Sequence, residues 1–492
     1  MAVVLGLQVA AQALTAYSVI RLNMLPGKYL IVVLAVMVLL AAVTAAVMFL
    51  GKVKAYRRIL ACVLVLLVVL GCGFATKLAS DAYKTVSAVT NAVTTTTRNV
   101  YVFVLTEDPA QTLQDAAGYT FGRIAGYDLK HVDKAIEEIS TQTGTQIATA
   151  DIASAKELAQ SLYEKKVGAV IMNGASVALL LEEEGYGDFT EKVRALSTMP
   201  YSQLKEPEAT TEPAPTEPEI PRDVTNAPFA IYISGSDTRS SMLTVSRSDV
   251  NILVVVNPVT KQILLINTPR DYYVENPEGD GAMDKLTHCG LYGPECSMEV
   301  LEKLYDVQID YYGQINFVGF EKLVDAVGGV TVYSDQSFKA HNTYIVAGEN
   351  HLNGAQALDF ARERYHVSGG DNGRGKNQMK VLKAVIEKMT TGTTVISRYP
   401  AIMESLEGMF STNMSMTDIS MLVKMQLSDM AKWDIHSFAV TGVGGNEKTY
   451  SMPGSYAYVM YEDETSTGHA AKLIEKVWAG EILKEEDLKL PK

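Results

Sequence analysis

The run VNILVVVN (250–257) is one of three apolar segments that stand close together in the chain, with FAIYIS (229–234) before it and QILLIN (262–267) after it. Runs of this length, rich in branched residues, are typical of central strands buried on both faces of a sheet. Helical patterns alternate with these strands or follow them, at residues 297–306, 317–328, 354–364 and 373–389. The alternation predicts an α/β/α sandwich with a central mixed sheet for residues 229–492, which is long enough to bury a sizeable core.

The first 78 residues predict a transmembrane anchor of three helices. Three stretches carry no charge, namely residues 1–20, 29–50 and 59–76, and about 20 apolar residues span a bilayer as a helix. Polar residues dilute the first stretch, so an interfacial helix is the alternative there. The loop GKVKAYRR (51–58) carries four basic residues, whereas the opposite loop carries only Arg21 and Lys28. The positive-inside rule therefore predicts a multi-pass cell-membrane protein whose residues beyond about 77 are extracellular.

Two further segments separate this anchor from the sandwich. Residues 79–203 contain strand patterns at 100–105 and 167–173 and amphipathic helix patterns at 131–140 and 152–166, which predict a small α/β accessory domain. Because these residues show no grouping of chemically reactive side chains, we interpret the domain as a spacer or a partner-binding module. Residues 204–228 are rich in proline, glutamate and threonine and predict an extended linker.

Arginine–aspartate motifs recur along the predicted sandwich of an otherwise acidic chain, which has 43 Lys+Arg, 56 Asp+Glu and a formal net charge of −13. The motifs are GSDTR (235–239), SRSD (246–249), PRD (269–271), FARER (360–364) and GDNGRGKNQ (370–378). Guanidinium groups match phosphate oxygens in a bidentate manner. Paired aspartates suit Mg²⁺, which is usually bound together with substrate phosphates. The combination predicts a site for a pyrophosphate and its metal ion.

The positions of the first motifs relative to the strands support one site. Asp237 and Arg239 follow the first strand and Arg270 follows the third, and ligands of open α/β sheets bind beyond the carboxyl ends of strands. Asp249 stands directly before the second strand, so Asp237 and Asp249 flank one connection and could meet at one metal ion. Capping and turn roles are the alternatives for both aspartates.

The last two motifs predict a basic helix pair. Arg362 and Arg364 close one predicted helix, whereas Arg374 and Gln378 are four residues apart near the start of the next and share a face. A helix N-terminus favours anions. An exposed, charged helix hairpin is the alternative interpretation.

The segment DKLTHCG (284–290) brings further polar candidates into a loop before a helix. Lys285 is a candidate for binding the anion, and His288 is either an orienting donor or a structural histidine. Cys289 and Cys296 lie in the part predicted to be extracellular, where a disulfide is permitted. Two unrelated small apolar residues are the alternative for this cysteine pair.

Taken in order, these motifs resemble the LytR-CpsA-Psr catalytic domain over about residues 229–390, and the membrane-plus-accessory layout resembles the streptococcal capsule-type branch. The resemblance implies an extracellular phosphotransferase of a Gram-positive bacterium. Such an enzyme moves a glycopolymer, capsule or teichoic-acid-like, from a polyprenyl-pyrophosphate carrier to peptidoglycan. The chain departs from the family at Asn372, where many members have a basic residue, and at Cys289, where many have alanine.

The resemblance also implies roles for individual residues. Asp237 and Asp249 hold Mg²⁺, with Mn²⁺ as the alternative ion. The residues expected to surround the pyrophosphate are Arg239, Arg247, Arg270, Lys285, Arg362, Arg364, Asp371, Arg374 and Gln378. Among them, Asp371 is the expected acceptor of the hydroxyl proton, and Arg239, Arg247, Lys285 and Gln378 are expected to bind substrate rather than take part in catalysis.

Three rival functions use the same residues differently. Water as the acceptor would make the protein a polyprenyl-pyrophosphate hydrolase. A non-enzymatic regulator of the cell envelope and a lipid-binding scaffold are the other candidates. No basic patch of the kind that binds nucleic acid stands out in this acidic sequence, so we expect no nucleic-acid partner.

Overall fold

A computed structural model describes residues 1–50, 55–90, 99–201, 223–236, 246–391 and 398–491. It begins with three helices, α1 (Ala2–Leu22), α2 (Gly27–Phe49) and α3 (Ala55–Thr90). Within the described residues, these are the helices long and apolar enough to cross a membrane. The polar residues that dilute α1 face the other two helices. Gln12 Nε2 donates to the Met37 carbonyl at 2.9 Å, and Thr15 Oγ1 donates to the Cys72 carbonyl at 3.1 Å.

Helix α3 does not end where the hydrophobic stretch ends. It passes through the predicted boundary at residues 78/79, because no proline or glycine interrupts residues 74–90. Ala79, Ala82 and Val86 of this extension are buried. The loop between α1 and α2 lies at the same end of the bundle as the C-terminal part of the chain, since Lys28 Nζ donates to the Ser428 carbonyl at 2.7 Å.

Residues 99–201 form a small α/β unit, which we call the accessory unit. Its elements are β1 (Asn99–Leu105), β2 (Thr120–Ile124), α4 (Leu129–Thr143), β3 (Ala148–Ile152), α5 (Ala155–Tyr163), β4 (Ala169–Asn173), α6 (Gly174–Glu182), α7 (Phe189–Lys192) and β5 (Val193–Pro200). The sheet order is β3-β2-β4-β1-β5. Strand β2 pairs in parallel with β3 and β4, whereas β1 is antiparallel to β4 and β5.

Residues 223–491 form the large unit. Its strands are β6 (Phe229–Ser236), β7 (Ser248–Asn257), β8 (Gln262–Asn267), β9 (Tyr273–Glu275), β10 (Met283–Lys285), β11 (Tyr311–Asn316), β12 (Val330–Ser334), β13 (Phe338–Ala340), β14 (Thr343–Ile345), β15 (Gly348–Leu352), β16 (Phe410–Thr412), β17 (Asp434–Ala439), β18 (Gly442–Thr449) and β19 (Met452–Glu462). Its helices are α8 (Leu286–Cys289), α9 (Pro294–Tyr305), α10 (Phe317–Ala326), α11 (Gly354–Arg362), α12 (Asp371–Thr390), α13 (Tyr399–Leu406), α14 (Met416–Asp429) and α15 (Glu464–Trp478).

The central sheet of the large unit has the order β16-β11-β6-β7-β8-β17 and is mixed. Strands β6, β7 and β8 are antiparallel to one another, while β11 runs parallel to β6 and β17 parallel to β8. Every residue of β8 is buried. Helices α9 and α15 pack on one face of the sheet, and α12 and α14 pack on the other. The predicted α/β/α sandwich with a mixed sheet is therefore confirmed.

Two local predictions need correction. Helix α11 ends at Arg362 and Glu363 is its C-cap, so Arg364 lies beyond the helix that it was predicted to close. Most of the predicted linker, residues 202–222, lies outside the described residues. Its last part is packed rather than extended, because Val224 is fully buried against the core beneath α12 and α14.

Candidate active site

One edge of the central sheet collects most of the predicted site residues. The pairings Asn316–Ser236, Ser236–Ser248 and Ile252–Asn267 place the carboxyl ends of β6, β8 and β11 beside the amino end of β7. The polar segments that follow or precede these strands therefore meet at this edge, as the sequence predicted.

Asp249 reaches this edge through an irregularity in the sheet. Gly235 pairs with Val250 and Ser236 with Ser248, so Asp249 is the extra residue of a β-bulge. A bulge breaks the strict alternation of a strand and redirects the side chain it carries. Asp249 Oδ1 accepts hydrogen bonds from Arg270 Nη1 at 2.7 Å and from Thr287 Oγ1 at 3.4 Å.

Arg270 is held between two carboxylates. In addition to Asp249, Asp271 Oδ2 lies 3.6 Å from Arg270 Nε, and Lys285 Nζ donates to Asp271 Oδ1 at 3.1 Å. Burial lowers the pKa of Arg270, but the two neighbouring carboxylates outweigh burial and the pKa is raised. Arg270 and Lys285 are therefore fixed cations at the end of β8.

The start of α12 brings a second basic group to the same place. Gly375 has no Cβ, and a Cβ there would stand 2.2 Å from Asn267 Nδ2 at the end of β8, so only glycine permits this close approach. Arg374 Nη2 lies 2.6 Å from Asp371 Oδ1. Burial lowers the pKa of Arg374, and the positive charges of Arg270 and Arg364 lower it further against the opposing effect of Asp371. Crowded, partly buried guanidinium groups of this kind favour a bound anion.

Arg362 and Gln378 lie beside an apolar cavity of about 160 Å³ between the sheet and helices α10, α11 and α12. Arg362 Cζ stands 4.5 Å from the centre of the Phe317 ring. The residues that line the cavity are Ile233, Gly235, Val250, Ile252, Ile315, Asn316, Phe317, Phe320, Leu323, Leu358, Ala361, Arg362, Gln378, Leu382, Val385 and Phe410. The lining is thus almost entirely apolar, with polar groups contributed by Asn316, Arg362 and Gln378.

The remaining predicted residues have separate surroundings. Arg364 lies against its neighbour, with Nη2 donating to Tyr365 Oη at 3.0 Å. Arg247 contacts the accessory unit, where its Nη2 lies 2.6 Å from Glu182 Oε2. Asp237 and Arg239 lie outside the described residues. The structure therefore brings together Asp249, Arg270, Lys285, Asp371, Arg374 and, through its charge, Arg364, which we call the arginine–aspartate cluster.

His288 is structural rather than an orienting donor at the site. It is buried, and its Nδ1 lies 2.6 Å from Asp284 Oδ1. Asp284 Oδ2 also accepts a hydrogen bond from Ser451 Oγ at 2.6 Å. Burial raises the pKa of Asp284, but His288 and these hydrogen bonds outweigh it and the pKa is lowered. The pair fixes the segment that presents Lys285.

The nearby Cys289 and Cys296 are both buried free thiols, so the structure does not form the disulfide that was one of the two interpretations of this pair.

Three residues next to the predicted set were not identified from the sequence. Asp271, within the PRD motif, contacts Lys285, and Glu182 contacts Arg247. Tyr458 lies on β19, where burial raises its pKa and the charges of Asp271 and Asp371 raise it further. The alternating tyrosines of YAYVMYE (456–462) were the available signal for an aromatic strand near the site.

The described residues contain no group of three or more His, Cys, Asp or Glu side chains arranged around a metal ion. The donor chemistry nevertheless fits Mg²⁺, which often uses only one or two carboxylates together with substrate phosphates. Arg270 and Thr287 both donate to Oδ1 of Asp249, whereas no described residue donates a hydrogen bond to its Oδ2. This oxygen is therefore the one that the described part of the cluster offers to a cation.

The fold and the site together define a class of protein. Its members have apolar N-terminal helices followed by an α/β/α sandwich, in which a cluster of arginines and aspartates adjoins an apolar cavity. Comparison with known proteins agrees with this description. The chain belongs to the LytR_cpsA_psr family, whose model matches residues 193–469, more than half of its length.

Curated relatives include two transferases. The polyisoprenyl-teichoic acid–peptidoglycan teichoic acid transferase TagU of Bacillus cereus is 36% identical over 206 residues, which cover 42% of this chain and 64% of that protein. The match therefore spans less than two thirds of that relative. TagU of Oceanobacillus iheyensis is 31% identical over 252 residues, covering 49% of this chain and 75% of that protein. Among solved structures, TagV of B. subtilis is 26% identical with a TM-score of 0.43, covering 52% of this chain and 98% of that chain.

Proposed function

We propose that the protein is a membrane-anchored phosphotransferase that moves a glycopolymer, capsule or teichoic-acid-like, from a polyprenyl-pyrophosphate carrier to peptidoglycan. The main observation behind this proposal is that the first turns of α12 contribute residues both to the arginine–aspartate cluster and to the lining of the apolar cavity. Asp371 and Arg374 belong to the cluster, and Gln378, one turn further on, lines the cavity. A polyprenyl pyrophosphate has the same two parts, an apolar chain joined to a charged head group. The names of the two TagU relatives support the same class of donor and acceptor.

The position of the anchor supports a lipid donor. Helix α3 packs against β16 and α13, and Phe410 of β16 lines the apolar cavity. Strand β16 thus touches both the third anchor helix and the cavity in which we place the apolar chain of the carrier. We place the accessory and large units on the extracellular side, in agreement with the basic loop at residues 51–58.

We assign the head group to the cluster. Arg270, Arg374 and Arg364 would donate to the pyrophosphate oxygens, and Lys285 would add a point charge. Asp249, together with Asp237, would hold Mg²⁺, which when bound neutralises charge on the phosphates. Fixed cations that are already in position at the start of the reaction stabilise charge that develops in the transition state.

The proposed reaction needs no covalent enzyme intermediate. The acceptor hydroxyl of peptidoglycan attacks the phosphorus that carries the glycopolymer, and a new phosphodiester bond forms. The bond to the bridging oxygen breaks, and the polyprenyl monophosphate leaves with the electron pair. Asp371 is our candidate to accept the hydroxyl proton, because its carboxylate lies 2.6 Å from Arg374 and therefore beside the proposed phosphate site.

The test uses the full-length protein in lipid nanodiscs with a short-chain polyprenyl-pyrophosphate oligosaccharide, with and without peptidoglycan fragments. Mg²⁺ and EDTA are compared, and both polyprenyl monophosphate and labelled peptidoglycan are measured. We expect Arg374→Ala to lower turnover at least tenfold. Arg123→Ala is the matched control, because it removes the same charge from ion pairs with two exposed carboxylates of the accessory unit, Asp133 and Asp151, and should leave turnover unchanged.

The products separate the candidate functions. Labelled peptidoglycan supports the transferase, whereas lipid monophosphate released without any labelled peptidoglycan would make the protein a hydrolase. If Arg374→Ala cleaves at the wild-type rate, the assignment of the cluster is wrong. If the wild-type protein binds the lipid and never cleaves it, a scaffold or regulator explains the chain better.

A further inference from the structure

The accessory unit contacts the large unit through a crevice at the end of its sheet. Tyr127 and Asp128 follow β2, and Asn173 ends β4, so they stand at the carboxyl ends of two parallel strands. In open α/β sheets such a crevice is where ligands bind. Here the large unit fills it: Tyr127 Oη lies 2.7 Å from Tyr292 Oη, and the Asp128 amide donates to Tyr450 Oη at 3.1 Å.

The polar side chains of the crevice are buried and hydrogen-bond to one another. The buried Asp128 carboxylate accepts hydrogen bonds from Asn173 Nδ2 at 2.6 Å and from Tyr201 Oη at 2.7 Å, and His131 Nδ1 lies 2.7 Å away. Burial raises the pKa of Tyr127 to about 12, so this phenol is neutral and acts as a hydrogen-bonding group. A buried carboxylate is tolerated only when such partners satisfy it. The contact is therefore built for one fixed docking geometry.

The turn between β18 and β19 connects the docked accessory unit to the site. Tyr450 belongs to this turn, and its neighbour Ser451 donates to Asp284, the residue before Lys285. Strand β19, which leaves the turn, carries Tyr458 beside the arginine–aspartate cluster. The docked turn therefore connects the accessory unit to two positions at the site.

Helix α6 provides a second connection between the crevice and the site. Asn173 is the N-cap of this helix, and its side chain accepts a hydrogen bond from the Ser176 amide. The helix ends at Glu182, whose carboxylate lies 2.6 Å from Arg247 Nη2. Ala175 and Leu179 of the same helix are buried in the core of the large unit. The N-terminal end of α6 thus belongs to the crevice. Its C-terminal end contacts Arg247 of the SRSD motif, two residues before Asp249.

We propose, on the basis of the proposed function, that the accessory unit is a positioning element of the active site and that Glu182 holds Arg247, two residues before Asp249, in place to bind the pyrophosphate from outside the arginine–aspartate cluster. Glu182 engages Nη2 of Arg247, whereas the buried Nε of Arg247 has no hydrogen-bond partner among the described residues. The carboxylate fixes the guanidinium while other donors are left for the anion. Glu182 is a positioning residue in this proposal, since it acts through Arg247 and does not itself touch the substrate.

The experiment compares Glu182→Gln and Glu182→Asp in the full-length protein in nanodiscs. The matched control is Glu183→Gln, which changes the next residue, a partner of Lys156 on the exposed side. We expect Glu182→Gln to raise KM for the polyprenyl-pyrophosphate substrate about tenfold with kcat changed less than threefold, since a pre-organised binding group is lost. Glu182→Asp should recover part of the loss. Glu183→Gln should match the wild type, and the thermal midpoint should be the same in all three variants.

A double-mutant cycle with Arg247→Gln completes the test. In the Arg247→Gln background, the Glu182→Gln substitution should change KM much less than it does in the wild type, because the two residues are coupled. Additive effects would overturn the proposal, as would a wild-type KM in Glu182→Gln. A lower KM in that variant would show that Glu182 competes with the substrate for Arg247, which also contradicts it. A wild-type protein that neither binds nor cleaves the lipid refutes the proposed function itself, whereas cleavage with an unaltered Glu182→Gln refutes only this inference.

Discussion

Replacing Gly375 by alanine tests the close approach that brings α12 to the end of β8. A Cβ at residue 375 would stand 2.2 Å from Asn267 Nδ2 and within 2.9 Å of the other amide atoms of Asn267. Ordinary van der Waals contact begins at 3.4 Å, so Asn267 or the start of α12 must move by about 1.2 Å. Asn267 is buried, so part of this movement must fall on the helix.

Stability and activity should respond differently to this substitution. Overpacking costs roughly 1–3 kcal/mol, while alanine is more favourable than glycine in a helix by about 1 kcal/mol. The free energy of unfolding should therefore fall by only about 0–2 kcal/mol. The activity should fall much more, because Arg374 and Gln378 move with the helix start, and a misplacement of about 1 Å can lower a rate by about 100-fold.

The assay measures kcat/KM for cleavage of the polyprenyl pyrophosphate together with thermal unfolding. Gly468→Ala is the matched control, since Gly468 lies inside α15 and a Cβ there meets nothing within 4 Å. We expect the control to unfold at the same or a higher temperature and to keep its activity. If Gly375→Ala has wild-type kcat/KM and wild-type stability, the close approach does not set the geometry of the cluster.

The buried pair of Asp284 and His288 predicts an acid-sensitive contribution to stability, and the cysteine pair predicts two unreactive thiols. Because the pKa of Asp284 is lowered in the folded protein, its contribution is present above the unfolded value of about 3.9 and is lost as the pH falls below it. Asp284→Asn should cost about 3 kcal/mol at pH 7, and the cost should shrink progressively as the pH falls below about 3.9 and through the lowered folded-state pKa. Denaturant unfolding measures it, and the exposed Asp335→Asn should show no such pH dependence. Contact with Cys296 and burial raise the pKa of the Cys289 thiol, so neither cysteine should be alkylated in the native protein. Both should react in denaturant without a reductant, and failure to do so would reveal a disulfide.

Much of the fold follows from the sequence because burial on two faces leaves a strong pattern. Strands β7 and β8 carry unbroken apolar runs at residues 252–256 and 263–266, which are typical of a central strand buried on both faces. The cluster was also predictable in outline, since polar motifs that adjoin neighbouring strands meet at one sheet edge. Arg270 and Asp249 come together for this reason.

The parts that the sequence did not predict depend on geometry that no local pattern records. The bulge that redirects Asp249 changes the register by a single residue. The contact between Glu182 and Arg247 joins two units that are separated by a proline-rich segment, so neither residue's neighbours in the sequence indicate its partner. Arg364 was assigned to a helix because its segment continues a helical pattern, yet the helix ends two residues earlier at Arg362.

The electrostatics of the cluster divide its arginines into two kinds. Arg270 has a carboxylate on either side, and these carboxylates raise its pKa above the ordinary value. Arg374 has one carboxylate partner, and burial and neighbouring arginines lower its pKa. The buried Nε atoms of both arginines have no hydrogen-bond partner among the described residues, so the difference between them lies in their charged neighbours. A phosphate at Arg374 would supply both the missing acceptor and the missing negative charge. We therefore infer that Arg270 organises the cluster, whereas Arg374 is the group whose charge the substrate stabilises.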